Sequence, residues 1–400
     1  MVFLKAVPIL GETILPFAPI NLITLIAVFF LLSNYGLVKN RLSKKSLFFP
    51  LSFFLIYYLL LFIFSYMKLG PKPNIFLIIQ NVVLYILVII LDWNYLVKLV
   101  KFWLVLLLFE CAFSMLIYFI GEPFATLRLN IVDNSEFFYI GQFERLSGFS
   151  RTVFLYAYPV AIIPLLLLVF FKFKREYYLL PLIFFSYLGI LLNGERITFA
   201  LSVFGFSVLL YKWFWSIKQF GYLIVFVIIA WTLQSQIQNI AQSQHSIYRL
   251  RESSSEEFSY RMLKQWTGVA TVLKTPFQPS DPGIYQEISI DNFGTEVSSP
   301  HNQFINMGIN AGVWGWIIIF AFLFYMFRYF IKVKLKIKAL SLSSHDYFWS
   351  GLHIIFWVLL GVGFFHNGGL FDFENAEYTS FCLLMAFSYQ ILAMDISNAK

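Results

Sequence analysis

Charged residues are scarce in this sequence. Asp, Glu, Lys and Arg make up 12% of its 400 residues, whereas 60% of the residues are hydrophobic and 20% are aromatic. A soluble domain cannot bury so much apolar surface, because its exterior must carry polar and charged side chains. The composition therefore excludes an ordinary soluble protein and predicts that lipid is the main solvent.

Cysteine is also scarce, and several well-known motifs are absent. Cys111 and Cys382 lie in apolar stretches, where a thiol behaves as a small hydrophobic group, so we expect neither a disulfide nor a metal site. The sequence lacks G-x-x-x-x-G-K-[ST], G-x-G-x-x-G, H-E-x-x-H and G-x-S-x-G. These absences disfavour an ATP-driven pump and a serine or zinc hydrolase. We expect no cofactor.

A net charge of +8 raises the question of nucleic-acid binding. The basic residues are dispersed between apolar segments and form no single patch, so membrane topology explains them better. We therefore expect no nucleic-acid partner.

What the sequence does contain is a series of long apolar runs. A helix needs about 20 apolar residues to cross a hydrocarbon core of about 30 Å. The runs predict an all-α, polytopic transmembrane helical bundle of about eleven spans, or twelve if residues 1–14 form a further short helix. The predicted spans are 15–36, 48–66, 75–91, 102–120, 152–171, 178–193, 197–211, 219–234, 303–327, 347–365 and 378–394. No repeat is evident, so residues 1–400 are expected to form a single integral membrane domain.

Charge sets the predicted orientation of these spans. The short connectors that would share one side are basic, and the positive-inside rule places that side in the cytoplasm. Residues 235–301 then form a large extracytoplasmic loop. Within it, the pattern from Ser253 to Leu273 predicts an amphipathic surface helix, and the polar, Pro- and Gly-containing stretch 276–300 predicts an irregular loop that re-enters the membrane at His301.

His301 is the first candidate for chemistry. It follows Pro300 at the predicted outer mouth of a span. Partial desolvation there would keep its imidazole neutral near pH 7 and able to accept a proton. A histidine that merely caps an interfacial helix would have the same pattern.

Cations on the predicted outer side are the second group of candidates. Arg196 lies in the tight turn Asn193-Gly194-Glu195-Arg196, and a guanidinium suits a phosphate. Arg145 and Arg151 precede a span, and Arg261 and Lys264 lie one turn apart on the predicted surface helix. These residues can also be explained without a ligand. Arg196 could form an ion pair with Glu195 or snorkel to the membrane surface, and Arg261 and Lys264 could form the charged face of an interfacial helix.

Carboxyl groups are the third group of candidates for chemistry. Asp372 and Glu374, in the last predicted outer turn, could orient an imidazole or hold a sugar hydroxyl, although a solvated turn has the same composition. Glu110 lies deep in a predicted span, where we expect it to be protonated or to face a polar interior.

Residues 140–320 contain several motifs in a fixed order. They are Glu195-Arg196, Tyr260-Arg261 at the start of the long loop, Lys274-Thr275-Pro276-Phe277, and above all the stretch from His301-Asn302 to Gly312 and Gly315. In these motifs the sequence resembles the O-antigen polymerase and O-antigen ligase superfamily. Two departures from the family pattern concern subfamily and acceptor. Glu195 stands where a serine is usual, and Phe277 to Gly283 stands where a glycine-rich turn is usual.

The resemblance implies a metal-independent glycosyltransferase in a bacterial cytoplasmic (inner) membrane, acting at its outer face on an undecaprenyl-pyrophosphate-linked oligosaccharide. His301 would then be the catalytic base. The cations Arg196, Arg261, Arg145, Arg151 and Lys264 would bind the donor pyrophosphate. Asn302, Asp372 and Glu374 would orient the base or bind the acceptor. Expected partners are this lipid-linked donor, membrane lipid, and a chain-length regulator and flippase of the same pathway.

Several functions stay open at the level of sequence. A polymerase of repeat units is the preferred reading, and a ligase that transfers the glycan to lipid A-core or protein would use the same donor and chemistry. A flippase or transporter of lipid-linked oligosaccharide would favour ionisable residues near the membrane midplane and repeated halves. Only Glu110 is clearly deep, and no repeat is visible. A purely structural role in an assembly is the remaining alternative.

Overall fold

The computed structural model describes residues 22–42, 45–70, 72–120, 124, 153–193, 195–214, 254–294, 300–366, 369–372 and 375–394. All regular elements in these ranges are helical. The α-helices are α1 (Leu22–Ser33), α2 (Tyr35–Leu42), α3 (Lys45–Tyr66), α4 (Ile75–Ile89), α5 (Trp93–Ile120), α6 (Val153–Lys174), α7 (Leu179–Asn193), α8 (Arg196–Phe214), α9 (Ser254–Lys274), α10 (Pro282–Phe293), α11 (Gln303–Ala311), α12 (Val313–Leu340), α13 (Ser343–Val362) and α14 (Asn375–Ala393).

Within the described residues, five candidate spans are long and apolar enough to cross a membrane, which agrees with the predicted membrane protein. They are Phe48–Tyr66, Trp93–Ile117, Tyr156–Lys174, Val313–Leu340 and Ser343–Phe365. The shorter apolar helices Ile75–Ile89, Leu179–Asn193 and Ile197–Trp213 also coincide with predicted spans. The total of eleven and the extracytoplasmic location of 235–301 stay predictions. The predicted span 219–234 lies outside the described residues.

The predicted span 303–327 has the wrong bounds, because the chain breaks at Gly312 between α11 and α12 and the candidate span is Val313–Leu340. Gly312 adopts φ 62° and ψ −156°, a conformation that is available almost only to glycine. A Cβ at this position would overlap the carbonyl oxygen of Pro276. That same oxygen accepts a hydrogen bond from the N–H of Val313 at 2.7 Å. The break at Gly312 is therefore packed against the loop that follows α9.

The prediction of an irregular loop over 276–300 is also wrong, because this stretch contains α10. Asp281 caps the helix by accepting a hydrogen bond from the N–H of Gly283 at 2.8 Å, and Pro282 occupies the first turn. Gly294 ends it in the left-handed conformation, with φ 70°. Pro282 and Gly294 belong to residue types that were interpreted as helix breakers, but here they lie at the two ends of α10 and cap it. Just before α10, the N–H of Ser280 donates to the carbonyl of Ile309 on α11 at 2.8 Å.

Contacts group the chain into two compact units. The first comprises Met1–Ile23, Asp92–Glu252 and Ser343–Val362. Its central helix is α6, which packs against α5, α7, α8 and α13, and whose residues 156–170 are all buried. Lys212 of α8 forms a 2.9 Å ion pair with Asp346 of α13, and Asp346 also accepts a hydrogen bond from Ser350. The prediction of a single membrane domain stays a prediction.

The second unit comprises Thr24–Leu91, Ser253–Leu342 and Gly363–Lys400. An aromatic core joins α3, α12 and α14 with the short 3-10 turn Leu370–Asp372. Phe371 of that turn stacks on Phe54 with a centroid distance of 4.6 Å and meets Phe322 edge-on at 5.3 Å. This packing holds the turn against the helices of the second unit.

Candidate functional site

The corner that precedes α11 positions His301 and Asn302. His301 is half-buried and has φ 50°, a left-handed conformation in which histidine is enriched among non-glycine residues. Asn302 is buried and extended, and its side-chain oxygen accepts hydrogen bonds from the N–H groups of Phe304 at 2.9 Å and Ile305 at 3.2 Å. Asn302 is therefore the N-cap of α11 and fixes the direction in which the helix leaves His301.

Gln303 connects this corner to the turn that carries Asp372. Its side-chain oxygen accepts a hydrogen bond from the N–H of Leu370 at 3.0 Å, across 67 residues of sequence. Gly363 and Gly369 pack directly against its amide group, and a Cβ at either position would overlap it. Its amide nitrogen is buried and has no hydrogen-bond partner among the described residues. Gln303 thus fills a closely fitted space between the two predicted site segments.

The turn Leu370–Asp372 is also held from α3. The hydroxyl of Tyr58 donates to the carbonyl of Phe371 at 2.8 Å. Asp372 is half-buried and lies close enough to Tyr57 and Tyr58 for its charge to act on both phenols. Tyr57 also lies close to the side chain of Asn310 on α11. Phenol, amide and carboxylate groups therefore cluster beside α11.

Helix α9 brings two cations to the same region. Gly268 packs against Pro300 and Ile305, and Gln265 donates to the carbonyl of Phe364 at 3.0 Å. Arg261 and Lys264 share this face of α9. At a rise of 1.5 Å per residue they lie about 10 Å and about 6 Å along the axis from Gly268. This face of α9 therefore leads from the His301 corner to the cations.

The two cations are close enough to interact. Burial lowers the pKa of the Lys264 ammonium below its usual value, and the positive charge of Arg261 lowers it further. Both side chains are half-buried. Two cations this close together on one helix face give it positive charge, which suits an anionic ligand.

The structure gathers a subset of the predicted site residues in the second unit, namely His301, Asn302, Asp372, Arg261 and Lys264. The tight turn before Arg196 is confirmed, since α7 ends at Asn193 and α8 begins at Arg196, but this turn belongs to the first unit. Arg145, Arg151 and Glu374 lie outside the described residues. Glu110 is fully buried in α5, also in the first unit. The roles of all these residues stay predictions.

Two residues of the site, Gln303 and Asn310, were missed by the sequence reasoning, although a signal for them existed. Amide side chains are unusual in a lipid-facing span, and 303–327 held Gln303, Asn306 and Asn310 within eight residues. This cluster could have indicated that 303–327 is not one continuous apolar helix. Tyr57 carried no such signal, because an aromatic residue is ordinary in an apolar run.

The cap gives a direct test of local stability. We expect Asn302→Ala to destabilise the protein by about 1 kcal/mol, because two N–H groups of α11 lose their acceptor. Asn302→Asp should stay close to the wild type, since a carboxylate also accepts these bonds. Thermal unfolding in detergent compares the variants. Equal destabilisation by both substitutions would contradict the capping role.

The side chains of the site determine which chemistry it can perform. They are an imidazole that can take a proton, a carboxylate with two phenols, and a pair of cations. Among the described residues, no group of three or more His, Cys, Asp or Glu side chains could hold a metal ion. No protein-family model matches this chain, and a comparison with curated proteins also gives no match. Function therefore has to be inferred from the residues of the site.

Proposed function

We propose that the protein is a glycosyltransferase that polymerises undecaprenyl-pyrophosphate-linked oligosaccharide repeat units in surface polysaccharide synthesis. The reaction would take place at the outer face of a bacterial cytoplasmic membrane. The observation that carries the proposal is the 3.0 Å hydrogen bond between Leu370 and Gln303, because it draws the turn of Asp372 to the corner of His301. Base, carboxylate and cations are then available within one unit.

The proposed step is a displacement at the anomeric carbon of the donor sugar. A hydroxyl oxygen of the acceptor forms the new C–O bond, and the bond from that carbon to the pyrophosphate oxygen breaks. His301 takes the hydroxyl proton, and undecaprenyl pyrophosphate leaves with the electron pair of the broken bond. Asp372, with Tyr57 beside it, would hold the imidazole or an acceptor hydroxyl in position.

Arg261 and Lys264 supply the electrostatic part of the mechanism. Negative charge develops on the pyrophosphate oxygen as it leaves, and two half-buried cations stabilise charge better there than in open water. The leaving group is already good, so its stabilisation and the placement of the acceptor can provide most of the rate. The predicted pyrophosphate-binding roles of Arg196, Arg145 and Arg151 are not used in this step.

Transfer by the purified protein tests the proposal. The protein in detergent is mixed with undecaprenyl-pyrophosphate oligosaccharide, without added metal or ATP. A ladder of products separated by one repeat unit supports a polymerase. Transfer only after lipid A-core is added would indicate the ligase alternative. If neither transfer occurs and the lipid-linked glycan crosses vesicles that contain the protein, the protein is a flippase and the proposal is wrong.

The lowered pKa of Lys264 leads to a prediction about pH. An anion binds the protonated ammonium, so affinity is complete below the pKa of Lys264 and falls as pH rises through it. Since that pKa is lowered, the fall begins at a lower pH than for an ordinary lysine. Loss of one charge-assisted contact should weaken binding of inorganic pyrophosphate roughly tenfold. Isothermal titration calorimetry, from neutral to alkaline pH, measures the effect.

Arginine variants provide the controls for this titration. Lys264→Arg should keep the affinity and remove this pH dependence, because arginine stays charged. Lys274→Arg, at the far end of α9 and in an ion pair with Glu287 at 2.8 Å, should leave the pH dependence unchanged. A Lys264→Arg protein that still loses affinity at the wild-type pH would contradict the assignment.

A further inference from the structure

Between Arg261 and Leu273, helix α9 has its polarity reversed relative to a helix on a water-soluble protein. Its exposed face is apolar, with Trp266 63% and Leu273 62% exposed, whereas Arg261, Lys264 and Gln265 lie half-buried on the protein side. The exposed residues are Met262, Leu263, Trp266, Ala270 and Leu273. A helix in water turns such a face towards the core. An apolar face turned outwards needs an apolar neighbour.

This face continues into the side of a candidate membrane span. Phe277, just after α9, is 69% exposed, and its ring centroid lies 6.3 Å from that of Trp314 on α12. Trp314 begins a row of exposed apolar side chains spaced three or four residues apart along α12. The row is Trp314, Ile317, Phe320, Phe324, Phe327, Ile331 and Leu335. Because α12 is long and apolar enough to cross a membrane, this row faces lipid in the spanning arrangement.

A different side of α9 carries a polar helix. Asn292 of α10 donates to the hydroxyl of Thr267 at 2.9 Å, and Lys274 forms its ion pair with Glu287 of α10. Gln286 and Asp291 of α10 are exposed and polar. One side of α9 therefore contacts the polar helix α10, and another contacts the corner of His301. A third side is apolar, and none of the described residues covers it.

We propose that α9 lies in the plane of the membrane surface, with its exposed apolar face and Phe277 resting on the acyl chains of bilayer lipid and α10 on the water side. Trp and Leu side chains at this depth are typical of interfacial helices. Arg261 and Lys264, on the opposite face of the same helix, then lie near the depth of the lipid phosphates. This placement does not rest on the proposed enzymatic function.

Spin-label accessibility in liposomes of phosphatidylcholine and phosphatidylglycerol tests the placement. Single cysteines are introduced at Met262, Trp266 and Leu273 in a background that lacks the two buried native cysteines. Labels there should collide with oxygen, which concentrates in lipid, severalfold more than with a water-soluble nickel chelate. Labels at Gln286 and Asp291 should show the reverse preference. A label at Phe324 on α12 provides the reference for lipid, and gel filtration confirms that each variant is folded.

Two results would overturn the proposal. Labels at Trp266 and Leu273 that prefer the nickel chelate would place this face in water. Labels shielded from both reagents, with spin–spin broadening that disappears when unlabelled protein is mixed in, would show that a second copy of the chain covers the face. Neither result depends on glycan transfer, so the test is independent of the activity assay.

Discussion

Replacing His301 with alanine is expected to lower the rate of glycan transfer about 100- to 10,000-fold, the usual contribution of a positioned general base. The acceptor hydroxyl would have to lose its proton to water. Binding of the donor pyrophosphate should change little, because Arg261 and Lys264 lie on α9, whereas His301 lies in the corner before α11. The measurement is the initial rate of ladder formation at saturating donor, together with the affinity for inorganic pyrophosphate.

The left-handed backbone of His301 calls for a second variant. His301→Asn keeps a residue that tolerates φ 50° and removes only the proton acceptor, so it should be as inactive as His301→Ala while unfolding at the wild-type temperature. His345→Ala is the matched control, since His345 belongs to the first unit, where it packs on Trp93. A folded His301→Asn protein with the full rate would rule out a catalytic role for His301.

Gly369→Ala is expected to disrupt both stability and activity. The new Cβ would overlap the amide of Gln303, which is fixed by its hydrogen bond from Leu370. Overpacking of this kind costs about 1–3 kcal/mol. The turn has to move to relieve the overlap, and Asp372 moves with it, so we expect most of the transfer activity to be lost. Thermal unfolding and the ladder assay measure the two effects.

A second substitution tests the cause. If the overlap with Gln303 is responsible, Gly369→Ala should cost less in a Gln303→Ala background than in the wild type, which is a measurable coupling between neighbours. Gly36→Ala is the control, because no atom lies within 4 Å of a Cβ built there and helix α2 should gain slightly from alanine. Equal costs of Gly369→Ala in both backgrounds would refute the explanation.

The apolar helices could be predicted well because lipid imposes a simple demand on sequence. A segment that crosses the hydrocarbon core needs continuous apolar side chains, and the runs 48–66 and 347–365 coincide with candidate spans that begin or end within a few residues. The amphipathic helix expected from Ser253 to Leu273 is confirmed as α9 (Ser254–Lys274), because its periodicity is a local feature of the sequence.

Two errors share one physical origin. Average hydropathy over 303–327 hides the single glycine at which the chain turns, because the conformation of Gly312 depends on the carbonyl of Pro276 across the corner. In 276–300, the prolines and glycines were taken as breakers, whereas Asp281, Pro282 and Gly294 are capping residues of α10. The same residue types end and begin helices, so position decides their meaning.

The charged and ionisable residues of the site could be predicted from the sequence, but the contacts that hold them in place could not. His301, Arg261 and Lys264 stand out in an apolar sequence because ionised or ionisable groups are rare there. Gln303 and Tyr58 act through contacts 67 and 313 residues away, and no local pattern encodes them. Their part in holding the turn of Asp372 emerges only once the helices are packed.

The loop after α9 determines how far the effect of a destabilising substitution extends through the structure. Its backbone accepts a hydrogen bond from Val313 and donates one to Ile309, so α9, α11 and the start of α12 are connected by main-chain bonds that only a proline substitution at a donor would remove. We expect such a region to open as one cooperative segment, with amide protons that exchange with solvent together. A destabilising change anywhere along α9 is therefore felt at His301, and variants that silence the protein should be scattered well beyond the residues that touch its ligand.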